Sequence, residues 1–234
     1  IPEDFSVPKK IINGMVGGQL TSSILAVSCV TVAFCSNLLM VNDKIRGARK
    51  DFAVTPVKKY TFALSYYTAT LLTTLIVSGT ATVACFAYIA TLGLYLTATD
   101  AVLVVVDVFI LTMFGTALSS CVNVFLTSQG QASAVGTIVS SCYGFVCGAY
   151  MPISNFGSGL QAVLGFLPGT YGTSLIRNHS LSGVCNEMLK QGFPPETVEK
   201  IKDSVDCNLY FFKNKVSVGA MYGVVIGSIG LFVG

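Results

Sequence analysis

Apolar residues in this chain come in long unbroken blocks, not in the alternations or one-sided stripes of a soluble domain. Residues 14–41 carry no charge and are most densely apolar from Ile24 onward. Residues 60–95, 101–126, 132–151 and 216–234 repeat the pattern, with Asp107 the single acid well inside a block. A span needs about 20 mainly apolar residues to cross a hydrocarbon core about 30 Å thick, so the pattern predicts five membrane-spanning helices. The uncharged stretch 60–99 is too long for one straight crossing at 1.5 Å per residue. A single tilted helix ending near Tyr95 fits it better than two spans, because Ser78-Gly79-Thr80 makes a poor water-exposed loop. The fourth block stops at Pro152, whose ring and missing N–H end helices. The fold class expected is therefore all-α, a polytopic membrane helix bundle forming one transmembrane domain over residues 1–234.

The segments between the blocks carry the polar residues. Residues 43–59 form a short basic loop, 127–131 a turn, and 177–215 a longer, mostly polar loop. Lys44, Arg46, Arg49, Lys50, Lys58 and Lys59 crowd the first loop, and lysine and arginine mark the cytoplasmic side when they sit close to spans. Counting spans from there puts Asp100, the region after Pro152 and residues 1–13 outside. In the loop, Ile45, Ala48 and Phe52 share one helical face and the basic residues take the others, the pattern of a helix lying along the membrane surface. On composition alone this is an anchor to anionic lipid. Phe156 to Leu175 holds an apolar run that is too short to span before proline interrupts it. Leu160, Val163, Leu164 and Leu167 form one stripe before Pro168-Gly169 turns the chain, which fits either a re-entrant segment over 156–176 on the outer side or a surface amphipathic helix.

Composition adds that hydrophobic residues are 53% of the 234 and charged residues 11%, where soluble domains carry about a quarter charged. Mean hydropathy is +0.71. The net charge of +3, with no basic run interleaved with aromatics, gives nucleic acid nothing to bind. Six of the eight cysteines lie in apolar runs, where Cys behaves as a small hydrophobe. Cys185 and Cys207 lie in the outer loop, where an oxidising compartment permits a disulfide between them. Asp107 is costly at membrane depth and a functional candidate by default. It is expected to line an outer cavity or pair across a subunit interface, with Arg177 as a candidate partner, and a proton relay is a further reading. His179, the sole histidine, is expected to be exposed and inert, inside an Asn178-His179-Ser180 sequon that matters only in a eukaryotic secretory route.

Two runs carry a family resemblance. Asp43-Lys44, Gly47, Lys50-Asp51-Phe52 and Thr55-Pro56-Val57-Lys58-Lys59 resemble the loop between the second and third helices of ATP-binding-cassette permeases of the type-2 export class. Gly148-Ala149-Tyr150-Met151-Pro152-Ile153, Leu167-Pro168 and Arg177 resemble the end of that family's fifth helix and the re-entrant segment after it. The family often has a further proline where this chain has Asn155-Phe156-Gly157-Ser158-Gly159, which loosens the expected turn.

The resemblance implies six helices per subunit, two permease subunits per transporter, alike or different, and two cytoplasmic ATPase subunits that handle ATP and Mg. It makes the basic loop a coupling helix, with Lys44, Arg46, Arg49, Lys50, Phe52 and Pro56 as the ATPase-coupling residues. It places Pro152, Leu160, Leu164 and Pro168 in the re-entrant segment. No cofactor is expected on this chain, which lacks G-x-x-x-x-G-K-[ST] for nucleotide phosphates. The chain opens at Ile1 and stops at Gly234 inside an apolar run, so a longer chain with a sixth span is expected. An enzyme is disfavoured because one histidine cannot furnish a zinc pair, and no G-x-S-x-G elbow occurs. A stand-alone ion-coupled transporter or channel is the alternative, resting on Asp107 alone. The expected place is a cell membrane, that of a bacterial plasma membrane, with lipid around the bundle.

Overall fold

A computed structural model describes residues 8–48, 58–93, 95–211 and 214–233. Helix α1, Lys9–Ser36, starts behind Pro8 and is followed after one residue by α2, Leu38–Ile45. Asn37 makes the joint. Its side chain leaves the helix axis to donate to Ser119 Oγ at 3.2 Å and Ser120 Oγ at 3.1 Å. Then come α3, Lys59–Leu92, α4, Ala98–Phe125, and α5, Gln129–Val146. A 3-10 turn, Ile153–Asn155, precedes α6, Ser158–Leu164, α7, Pro168–Lys190, and α8, Pro195–Ser204. A hairpin of two-residue strands, β1 (Tyr210–Phe211) and β2 (Asn214–Lys215), pairs Tyr210 with Lys215 before α9, Val218–Val233.

Helix α1 is the hub, touching α3, α4, α5 and α7. Its buried face holds Leu25, Ala26, Cys29, Val30, Ala33 and Phe34. Small residues set the spacing, as in membrane bundles generally. A Cβ on Gly115 of α4 would lie 3.0 Å from the Cys29 carbonyl oxygen, and one on Gly18 would lie 2.5 Å from Leu181 of α7. Helix α3 is patterned inside out. Thr70, Thr74, Ser78 and Thr82 are buried at helical spacing, whereas Leu64, Leu72, Ile76 and Val83 are exposed. Apolar side chains facing outward suit lipid, not water. The inward hydroxyls are satisfied within their own helix: Thr74, Ser78 and Thr82 each donate 2.7 Å to the carbonyl four residues back.

Three helical runs among the described residues, Lys9–Ile45, Tyr60–Leu92 and Ala98–Phe125, are long and apolar enough to cross a membrane. Of the five blocks expected to span, the fourth becomes an 18-residue helix opening on Gln129, Gly130 and Gln131, and the fifth a 16-residue helix. The fourth helix also ends earlier than proline would dictate, at Val146, where Gly148 turns the chain with φ +74°. The expected outer loop is the largest departure. Helix α7 runs through Arg177 to Lys190 without a break, and only the stretch after it forms a lobe of loops, α8 and the hairpin. A second small core, separate from the membrane core, joins α7 to this lobe through Leu181, Val184, Cys185, Met188, Val198 and Cys207.

Candidate functional site

Two polar clusters are built where α7 meets the rest of the molecule. Arg177 is 0% exposed. Nη2 donates to the Gly148 carbonyl at 2.7 Å and to that of Ala149 at 3.4 Å, just past the end of α5. Nη1 donates to the Val205 carbonyl at 3.1 Å and lies 3.7 Å from the Asp206 carboxylate, and Nε points at Ser22 of α1 at 3.5 Å. Asp206 in turn accepts the backbone N–H of Ile153 and that of Ser154. Burial pushes the Asp206 carboxyl up from the ordinary carboxylate range, against the pull of those two N–H groups and of Arg177. One guanidinium thus joins α1, the end of α5, α7 and the lobe.

The second cluster lies on another side of the same helix. Asp107 of α4 is 2% exposed. One of its oxygens takes the Tyr222 hydroxyl of α9, and the other shares a hydrogen with His179 Nδ1 of α7 at 2.5 Å. A lone carboxylate at this depth would be expensive; here both oxygens are occupied by side chains of two other helices. The expected pairing of Asp107 with Arg177 is therefore replaced. Arg177 goes to Asp206, and the partner is His179, which is buried instead of exposed. The signal that could have found it is helical spacing. With α7 continuous, Arg177 and His179 project in different directions, one toward the lobe and one toward α4.

Other expected positions are placed as follows. Lys44 points back into the bundle, donating 2.8 Å bonds to the carbonyls of Val124 and Leu126 at the end of α4. Arg46 is exposed. Arg49, Lys50, Phe52 and Pro56 lie outside the described residues. Pro152 caps the 3-10 turn and Pro168 is the first residue of α7. Of the apolar stripe only Leu164 turns inward, at 6% exposure; Leu160 and Val163 face out. Cys185 and Cys207 remain free thiols instead of a disulfide, buried in one apolar cluster, and burial pushes the Cys207 thiol up to about 12. Asn178 of the sequon is engaged inside a helix, donating 3.0 Å to the Cys207 carbonyl. Among the described residues no group of His, Cys, Asp and Glu is placed to hold a metal ion.

The family model described as ABC-2 type transporter matches residues 8–179, well over half of the chain. The chain belongs to the ABC-2 type transporter family. It is a permease subunit of that family and a membrane protein, and the transport function goes with the matched region. The match takes in α1 through α7 as far as His179, so both ends of the Asp107–His179 bond fall inside it, whereas Tyr222 and the lobe residues Val205 and Asp206 fall beyond it. A comparison with curated proteins gives no match.

Proposed function

We propose that this ABC-2 permease is the membrane half of an ATP-driven exporter. It moves an amphipathic or hydrophobic cargo, such as a drug, a peptide or a lipid-linked glycan, out of a bacterial cytoplasm. ATP and Mg are handled by a cytoplasmic ATPase bound at the basic segment 46–59, and a second permease subunit completes the pathway. The observation that carries this reading is the convergence at one end of the bundle. The end of α2, the start of α3 and the end of α4 meet there, and six lysines and arginines within residues 44–59 support a cytoplasmic placement of that end. The segment 156–176 then belongs to the opposite, outer side, where it dips into the outer leaflet and, with the Arg177-bound lobe, covers the exit.

Purification of the full chain from its native membrane tests this. An ATPase subunit should accompany it, and reconstituted vesicles should hydrolyse ATP faster when amphipathic compounds or peptides from a panel are added. Labelling of a cysteine introduced at Arg46 from outside intact cells would place the basic loop on the wrong side and end the reading. A second reading, an ion-coupled carrier working alone, draws on the Asp107–His179–Tyr222 cluster. It requires transport that persists without ATP and responds to an ion gradient.

A further inference from the structure

Two adjacent side chains clamp the end of α2 to the inner ends of two other helices. Asp43 Oδ2 accepts the Tyr66 hydroxyl of α3 at 2.8 Å. Lys44 Nζ donates to the carbonyls of Val124 and Leu126, each at 2.8 Å. The last carbonyls of a helix have no partner in the helix itself and carry negative partial charge. An ammonium placed there makes charge-assisted bonds, stronger than neutral ones. Lys44 is thus committed to α4, and not to a partner surface. Three residues on, Gly47 takes φ +82° and the chain passes into the basic segment before α3.

Covalent continuity lets a push on the segment 46–58 reach α2 and α3, the helices it joins. Helix α4 has no such connection to it. Among the described residues, its hydrogen-bonded links to the end of α1 and to α2 are Asn37, held to Ser119 and Ser120, and Lys44, which holds the carbonyls of Val124 and Leu126 while that of Asn123 takes the Leu126 N–H; α2 also packs directly on α4 and α5. Two residues past Leu126, Ser128 caps α5 by accepting the Gln131 N–H. We propose that Lys44 is a positioning residue that conveys displacement of the basic segment to the inner end of α4 and through the 126–128 turn to α5. Closure of the ATPase then moves α4 and α5 together with the helices it pushes directly. This rests on the reading of the segment 46–59 as ATPase-facing, with Lys44 at its edge turned to α4 instead of making the coupling contact that the resemblance implies for it.

Hydrogen exchange on the full chain with its co-purified ATPase in nanodiscs, nucleotide-free and trapped with ATP and vanadate, tests it. In the unaltered complex, trapping should change exchange both at the start of α3 (residues 60–66) and across the α4–α5 turn (residues 124–131), by about tenfold as typical coupling predicts. Lys44→Met should keep the ATPase and the response at 60–66 but lose the response at 124–131, and Lys44→Arg should restore it. A merely structural lysine would affect both regions in both states alike. The proposal is overturned if Lys44→Met leaves the response at 124–131 intact, if it loses both responses alike, or if it releases the ATPase, which would make Lys44 a motor contact. Should Lys44→Met fail to accumulate, Lys44→Gln, which keeps a polar side chain but loses the charge, takes its place, and an undiminished response at 124–131 there overturns the proposal equally. If the unaltered chain brings no ATPase, the functional reading itself falls and this inference with it; an ATPase that binds without any response at 124–131 sinks the inference alone.

Discussion

Replacing Arg177 by methionine removes the guanidinium but keeps most of the stem's volume. Three things are then left behind in a largely buried site. The Gly148 carbonyl loses a 2.7 Å donor, the Val205 carbonyl loses one at 3.1 Å, and the Asp206 carboxylate keeps only the N–H groups of Ile153 and Ser154. Removing one partner of a buried ion pair costs about 3–5 kcal/mol, because the other charge is stranded. An orphaned buried carbonyl costs about 1–3 kcal/mol, but here those losses overlap with the first and do not simply add. We take about 4 kcal/mol for the whole, so that opening of the lobe away from α7 becomes more frequent by up to about a thousandfold. The chain has no tryptophan, but it carries its own reporter. Cys207 is 2% exposed in the lobe core beside the Arg177 site. Alkylation of Cys207 in reduced protein, followed by peptide mass spectrometry, measures the opening directly. The double variant Arg177→Met/Asp206→Asn should recover about 1–2 kcal/mol of the loss, since no carboxylate is then stranded. An alkylation rate within about threefold of the unaltered protein would refute the reasoning, because a difference that small is worth less than 1 kcal/mol.

Gly183→Ala should detach the α3–α4 connection from α7, since a Cβ there would overlap the Tyr95 carbonyl oxygen. A fall of about 1–3 kcal/mol in thermal stability is expected and is read by a thiol-reactive dye melt. Tyr222→Phe removes one hydroxyl from Asp107 and leaves a buried carboxylate oxygen unpaired. It should cost about 1.5–3 kcal/mol in the same melt, whereas Phe at the exposed Tyr60 should cost nothing measurable. Because burial raises the Asp206 carboxyl above 3.8, the folded lobe holds a proton that the unfolded chain has already released. Lobe stability should therefore fall as pH rises from about 4 through the raised value and level off above it, and Asp206→Asn should remove that slope from the Cys207 alkylation profile.

The parts of this fold legible in the sequence are those where lipid dictates the pattern. Uncharged blocks of more than 20 residues, such as 60–92, leave little choice but a helix that keeps its backbone bonds internal. The outer region was harder because polarity there has two causes. Arg177, Asn178, His179 and Ser180 look like a loop by composition, yet each is engaged or enclosed at helical spacing within α7. A buried arginine and an exposed one are the same letter. What separates them is whether distant groups, here Gly148 and Asp206, converge on the position, and no local window holds that information. The end of α5 at Gly148 was missed for a related reason. Pro152 is the visible stop signal, but the Gly148 turn, closed by Arg177 and by Ser23 donating 2.5 Å to the Ala149 carbonyl, acts first.

The hydroxyl row of α3 has a mechanical corollary. Thr74, Ser78 and Thr82 spend their hydrogens on their own helix, and what reaches across to neighbours is sparse and long: Ser78 to Thr112 at 3.4 Å, Thr70 to Asn37 at 3.5 Å. Between α3 and α4 run the 3.4 Å Ser78–Thr112 contact and the 3.5 Å bond from the Tyr67 hydroxyl to the Met113 carbonyl, both long and weak. So weak a lateral register between α3 and α4 leaves the tie at their inner ends, through Asp43 and Lys44 of α2, to set how far the two helices move as one.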